Sequence, residues 1–551
     1  MLRKLRILRA SSLALLLGAV LLAGCRVRDE RPDATPAAAK SEAPRRGGTA
    51  VTGWVAEPGG VNELIVPSSQ VTNELLFRIY VHLLEEQPDF EEHPPTLEPQ
   101  LAKSYEWSDG HKTLTFHLRE DAVWSDGVPI TAEDVRWTWQ AQTDPEVAWD
   151  SVDSKRFITG VEVVDPHTVR MRFAQVSAKQ LLAANEGVIL PKHVWAKLPF
   201  AKWRQSGEWF RAHAVTSGPF LIASWEPGQQ LVLGRNDRYF GKQPYLDRVV
   251  MRVVPDQASL LAQLLNGEVD FVPQISPGDA PRVKANPHLR LIPYWFNIYV
   301  GIVWNNEHPP FSDPEVRRAI TLGLDRQTIV ETLWGEYGRI GVSPLLTSVW
   351  AHDKSLKPWP YDPAAARRIL AARGWQDTDG DGVLDRNGKP FIIKLETNAG
   401  NQARVDAMVM IQDQLKKVGI RVEPREVEFN TMMSQMVDGT FDAAILGQSL
   451  DTSLDMTDNF HSRSIGTRNN NARYRNPEVD RLLETAVSQP EMIDELPYLR
   501  RIERILHRDQ PISFLWESKR LTAVNKRLRD VKPTAAFSFF HLEEWWIAPE
   551  G

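Results

Sequence analysis

The chain has 551 residues, 42% of them apolar and 25% charged, with a formal net charge of −6 and one cysteine. A mildly acidic balance argues against nucleic acid as a partner, and a single cysteine excludes an internal disulfide framework. A chain this long buries enough apolar area for several domain cores, so packing must supply its stability.

Residues 1–24 read as a secretory signal, with Arg3, Lys4, Arg6 and Arg9 as the basic head and Ala10 to Leu22 as a short apolar stretch. That stretch is too short to span a bilayer comfortably. Leu22-Ala23-Gly24-Cys25 is similar to the lipobox of bacterial lipoproteins, which makes Cys25 the lipid-bearing first residue of the mature chain. Cleavage there removes four positive charges and no negative ones, taking −6 to −10. Residues 25–46 are rich in Ala, Pro, Arg, Asp and Glu without apolar periodicity, and read as a disordered tether. The expected location is therefore outside the cytoplasm, anchored to the membrane and facing the periplasm or cell exterior.

Order is predicted from Gly47-Gly48, with Thr49 to Trp54 as a first strand. Thr113 to Leu118 alternates strictly, placing Leu114, Phe116 and Leu118 on one face, and His167 to Phe173 repeats the pattern. Gln230–Leu233, Val249–Val254 and Phe391–Leu395 are further strands. Helix starts are marked by Asp313-Pro314, Asp362-Pro363 and Asn476-Pro477, each an Asx at N-cap followed by a proline whose missing N–H costs nothing there. Thr131 to Asp134 opens another helix as a capping box, and Gly374 closes the one begun at Asp362. No repeat of 20–50 residues is present. The fold class is a large mixed α/β protein.

The sequence contains no Gly-x-Ser-x-Gly elbow, no His-Glu-x-x-His, no phosphate-binding glycine loop and no Cys/His metal grid. A cysteine nucleophile is excluded because Cys25 is committed to the anchor. The 13 histidines are scattered. This pattern favours binding over chemistry, and the chain is expected not to be an enzyme.

Several blocks then carry a family resemblance. They are Leu97 to Trp107, Thr113 to Arg119, Val123 to Val135, Thr216 to Phe220 with Trp225 to Gly228, Arg235-Asn236, and Tyr245 to Asp247. Leu264 to Asp270, Pro309 to Ile320 and Phe441 to Leu446 complete the series. Together they resemble the family 5 extracytoplasmic solute-binding proteins, the dipeptide- and oligopeptide-binding components of ABC importers. The resemblance spans about residues 47–530 and implies a two-lobed, Venus-flytrap architecture with an extra subdomain inserted in the first lobe. On that pattern lobe I is 47–298 with the insert at about 85–215, lobe II is 299–515, and 516–551 returns to lobe I. It also implies a monomer that delivers its ligand to permease subunits in the membrane.

The resemblance further implies ligand contacts. The family's cleft aspartate falls on Asp451, followed by Asp458-Asn459-Phe460, with Ser449 where ligand-facing backbone is common and Gln448 in place of a tryptophan. A carboxylate facing a primary ammonium gives a charge-assisted, oriented pair; the competing reading of Asp451 is a loop residue making an Asx turn. Trp304 and Asn305 match a Phe-Asn pair beside the hinge, so Trp304 is a candidate wall and Asn305 a candidate ligand or hinge bond, with core packing as the alternative. Gln448 keeps a non-peptide ligand such as a sugar, an opine or a metal chelate in view.

Asp377 to Asp385 is a separate signal. Asp377, Asp379, Asp381, the Val383 carbonyl and Asp385 occupy the oxygen positions of a calcium loop. Position 12 is Gly388, so the bidentate glutamate of an EF-hand is missing. No cofactor is required; Ca2+ in this loop is the candidate, against a plain solvated turn.

Overall fold

The computed structural model describes residues 43–549, so the signal, Cys25 and most of the tether lie outside the described residues. Among the described residues no helix is long and apolar enough to cross a membrane.

Alternating and β-branched segments form the strands as their patterns predict. Thr49–Trp54 and Thr113–Leu118 have the expected bounds, while the other predicted strands shift by one to three residues, as Ile392–Asn398 does. Asp313, Asp362 and Asn476 each accept a backbone N–H from the first turn of their helices, with proline at the first helical position. Asp134 Oδ2 accepts the Thr131 N–H at 2.9 Å, as a capping pair requires. Gly374, at φ +81°, closes the helix Pro363–Ala372.

Two long strands organise the molecule. Leu289–Trp304 and Ile512–Asn525 run antiparallel along their whole length, from Leu289 opposite Asn525 to Val303 opposite Ile512. Their pairing breaks register between Trp295 and Tyr299. On one side of the break the second strand carries Phe271–Val272, then the parallel pair Thr49–Trp54 and Arg248–Val253, then a hairpin. On the other side Leu289–Trp304 pairs with Ala443–Ser449, which leads to the parallel strands Ile392–Asn398 and Arg421–Val427. The fold is therefore two-lobed, with the lobes sharing these two strands. A separate four-stranded antiparallel sheet, built from Ala102–Ser108, Thr113–Leu118, Thr168–Phe173 and Ile158–Asp165, belongs to the first lobe as an inserted subdomain.

Close backbone approach and buried carboxylates hold this frame. A Cβ on Gly301 would stand 2.9 Å from the Ser513 carbonyl oxygen, so glycine is what lets the two long strands pack at that point. Asp270, 1% exposed, accepts from Arg527 at 2.6 and 2.7 Å and from the Val51 N–H at 2.9 Å, tying the first strand to the return segment. Among the described residues the apolar side chains gather into four buried clusters. The largest joins the first lobe and its subdomain to Phe539, Leu542 and Trp545, and two others fill the second lobe.

Candidate ligand cavity

Two adjacent chambers of about 300 and 220 Å3 open where the lobes meet. They share Leu182, Glu186, Asp451 and Ser453, so Asp451 and Glu186 border both of them. The first chamber is walled by Phe77 and Arg78 at the end of the helix Gln70–Ile79, by the segment Leu84 to Phe90, and by Asn297, which sits in the register break. A further wall is Ala536, Phe537 and Phe540. That last segment is held from inside the first lobe: Glu74, 1% exposed, accepts the backbone N–H groups of Ser538 and, at 2.9 Å, Phe539. The second chamber lies against the subdomain, between Asp153 to Phe157, the stretch around Gln180, and the loop Asp451 to Asp458.

Asp451 is placed by a tight turn that follows the strand Ala443–Ser449. Its Oδ1 accepts from the Ser453 N–H at 3.0 Å and from the Ser453 hydroxyl, and among the described residues no hydrogen bond reaches Oδ2. The Asx turn and the cavity position therefore coexist: one oxygen shapes the loop and the other is left over. The turn does not decide against a ligand role.

The lining is strongly acidic. Burial raises the pKa of Glu86 to about 7, and the neighbouring carboxylates of Asp451, Glu186 and Asp89 add to this against a hydrogen bond from Thr452. Burial also lifts Glu63 to about 7, opposed by its acceptance of the Val188 N–H at 2.8 Å. Glu186 is raised by burial too, partly offset by the charge of Lys155. Lys155 itself is pushed down to about 8 by burial, and its ammonium donates to the carbonyls of Ala183 and Glu186 at 2.6 Å each. His82 falls to about 4, so it is neutral at ordinary pH. Such a surface attracts cations, and its wall aromatics supply apolar contact.

The other residues expected at the site are elsewhere. Gln448 and Ser449 line a different, more open depression of about 400 Å3 beside Arg404 and Arg468, and the Gln448 Oε1 accepts the Tyr299 hydroxyl at 2.6 Å. The expectation that Trp304 walls the pocket is corrected. Trp304 is fully buried, stacks on Phe311 with ring centroids 5.0 Å apart, and donates its indole N–H to Ser513 at 2.9 Å. Asn305 is likewise fully buried; its amide donates to the carbonyls of Gly439 and Phe441 at 3.0 and 2.9 Å and so pins a loop instead of touching ligand. Glu63, Glu86 and Glu186 were not anticipated. They come from three distant segments with no common spacing, and no sequence signal marks them.

In the acidic loop, carboxylate oxygens of Asp377, Asp379 and Asp381 lie within 4.8 Å of one another, all exposed. Asp385, expected as a fourth ligand, is outside that group: its Oδ2 accepts the Thr378 N–H at 2.9 Å and hydroxyl at 2.6 Å. Val383 donates its N–H to Asp381 at 2.8 Å, and Asn387-Gly388, both at positive φ, turn the chain between two short paired strands. The three clustered carboxylates also accept N–H groups of the turn.

A family model described as bacterial extracellular solute-binding proteins, family 5 Middle, matches residues 96–471. The chain is 30% identical over 513 residues to the oligopeptide-binding protein AppA of Bacillus subtilis, covering 92% of both chains. It is 25% identical over 528 residues to heme-binding protein A of Haemophilus influenzae, covering 91% of this chain and 92% of that one. The solved structure of Bacillus subtilis AppA in complex with a nonapeptide has a TM-score of 0.77 and covers 92% of this chain and 100% of that one.

Proposed function

The chain belongs to the family 5 bacterial extracellular solute-binding proteins, and from that membership we propose that it captures peptides between its lobes and delivers them to the permease of an ABC importer. The observation that carries the reading is Asp451 on the border of the two chambers, with one carboxylate oxygen that no hydrogen bond reaches among the described residues. A peptide α-ammonium placed there gains a charge-assisted bond, and the chambers on either side receive the rest of the ligand. Lobe closure over the ligand then presents the docking face to the permease.

The remaining parts of the proposal follow. Cys25 carries lipid and holds the mature chain at the membrane. Lobe I takes residues 47–298 and 516–551 and lobe II 299–515, a division supported by the register break at Trp295–Tyr299. The protein acts as a monomeric receptor and not as an enzyme, with no required cofactor. A non-peptide ligand was suggested by Gln448, and that argument loses force because Gln448 is bonded to Tyr299 outside both chambers.

Calorimetric titration of a tripeptide and its N-acetylated form tests the reading. Wild type is expected to prefer the free amine, and Asp451→Ala to lose roughly 2 kcal/mol and the preference with it. This is the lower end for truncating a charge pair, because Glu86 and Glu186 remain. Wild type that binds neither form while a neutral sugar or chelate saturates it would overturn the peptide assignment.

A further inference from the structure

The cavity holds more acidic side chains than one α-ammonium can answer. Glu63, Glu85, Glu86, Glu186 and Asp451 line the first chamber with a single arginine, Arg78, and Lys155 behind the wall offsets only Glu63 and Glu186. Arg78 is already met by Glu74 and Glu85 and by Glu543 at 4.0 Å, so it adds no free positive charge. In the second chamber Asp153, Asp455 and Asp458 join Glu186 and Asp451. Of the two cations there, Lys179 is bound to Glu495 and to the Ser453 carbonyl, leaving Arg156.

A second, independent observation points the same way. Gln180 is 3% exposed and lines the second chamber; its Nε2 donates to the Gln175 carbonyl at 2.9 Å, and its Oε1 has no partner. Asn297, in the first chamber, repeats this arrangement: its amide nitrogen is committed to the Leu450 carbonyl and its Oδ1 is unpartnered. Unsatisfied buried acceptors call for a donor, and guanidinium and ammonium groups are donors only.

We propose that this receptor selects peptides bearing a lysine or arginine side chain at or next to the N-terminus, so that two adjacent positive charges enter the acidic chambers on either side of Asp451. The inference rests on the peptide reading above. One cation is held at Asp451; the second is received by Glu86 and Glu186 in the first chamber or by Gln180 and its acidic neighbours in the second. Burial raises Glu63 and Glu86 to about 7, and the charge of Lys155 only partly offsets this at Glu63. A bound basic side chain would lower them and release protons on binding.

The test is calorimetric titration of wild type with Arg-Ala-Ala and Ala-Arg-Ala against the same peptides containing citrulline, which keeps the shape and removes the charge. Arginine is expected to bind about tenfold or more tightly at one of the two positions. Repeating the titration in buffers of different ionisation enthalpy should show proton release with the arginine peptide only. Glu86→Gln or Glu186→Gln should reduce the arginine preference without a comparable loss for citrulline. Equal affinities at both positions in wild type overturn this inference and leave the peptide reading standing. Failure of all four peptides to bind overturns both.

Discussion

Replacing Glu86 with glutamine measures what an uncompensated carboxylate costs the ligand-free protein. Burial, reinforced by Asp451, Glu186 and Asp89, raises Glu86 from the ordinary 4.5 to about 7. In the unfolded chain the group ionises near its ordinary value. Between the two values the folded protein therefore holds a proton that the unfolded chain has released. Its contribution is fully favourable below the lower value and is lost as the pH rises through about 7. Above that, the folded state carries a penalty of up to about 3 kcal/mol. For a body of about 500 residues, unfolding entropy of about 1 kcal/mol/K converts this to about 3 °C in Tm. Scanning calorimetry without ligand should show Glu86→Gln melting about 3 °C above wild type near pH 8 and level with it near pH 4. Glu63 and Glu495, both raised to about 7 chiefly by burial, remain in the variant, so its own Tm still falls with pH. The difference between the curves isolates Glu86. If both proteins lose the same number of degrees between the two pH values, the raised pKa of Glu86 is refuted.

Cys25→Ser should move the protein from the membrane fraction to the soluble fraction; a variant that stays membrane-bound and uncleaved would sink the lipid anchor. The acidic loop is expected to act as a turn, since its carboxylates already bond its own N–H groups. Melting should be the same with excess calcium and with chelator, and a calcium-dependent rise that vanishes in Asp379→Ala would overturn this. Gly301→Ala should cost about 1–3 kcal/mol, because the new methyl meets the Ser513 carbonyl and Ile512 on the facing strand. An unchanged Tm would mean that the long strands do not pack there as described.

What could be read from the chain was local or repeated. Strict alternation in Thr113–Leu118 and Asx-Pro pairs at helix starts need no distant partner, and the structure places them as read. The family blocks turn out to be framework. Ser217 accepts the Val81 N–H at 3.1 Å, a Cβ on Gly218 would meet the Arg78 carbonyl at 2.5 Å, and Asp270 clamps Arg527. The site was less legible because it is a matter of which surfaces face each other. Trp304 has the residue type of a pocket wall, and the Ser513 acceptor on the strand Ile512–Asn525 together with the stacked Phe311 ring makes it core. The chambers' carboxylates come from segments at opposite ends of the fold, from Glu63 to Asp458. No periodicity links such positions; the topology alone brings them together.

The Glu74 clamp on Ser538 and Phe539 has a consequence for biosynthesis. Polypeptides are made from the amino end, so the wall Ala536 to Phe540 is the last of the first chamber's walls to be synthesised. Until it docks, the chamber is open on one side and the first lobe lacks the Phe539 and Trp545 contribution to its core. A product clipped before this wall would keep the second lobe's core while losing the ability to retain ligand, so ligand retention serves as a sensitive measure of intact material in any purified sample.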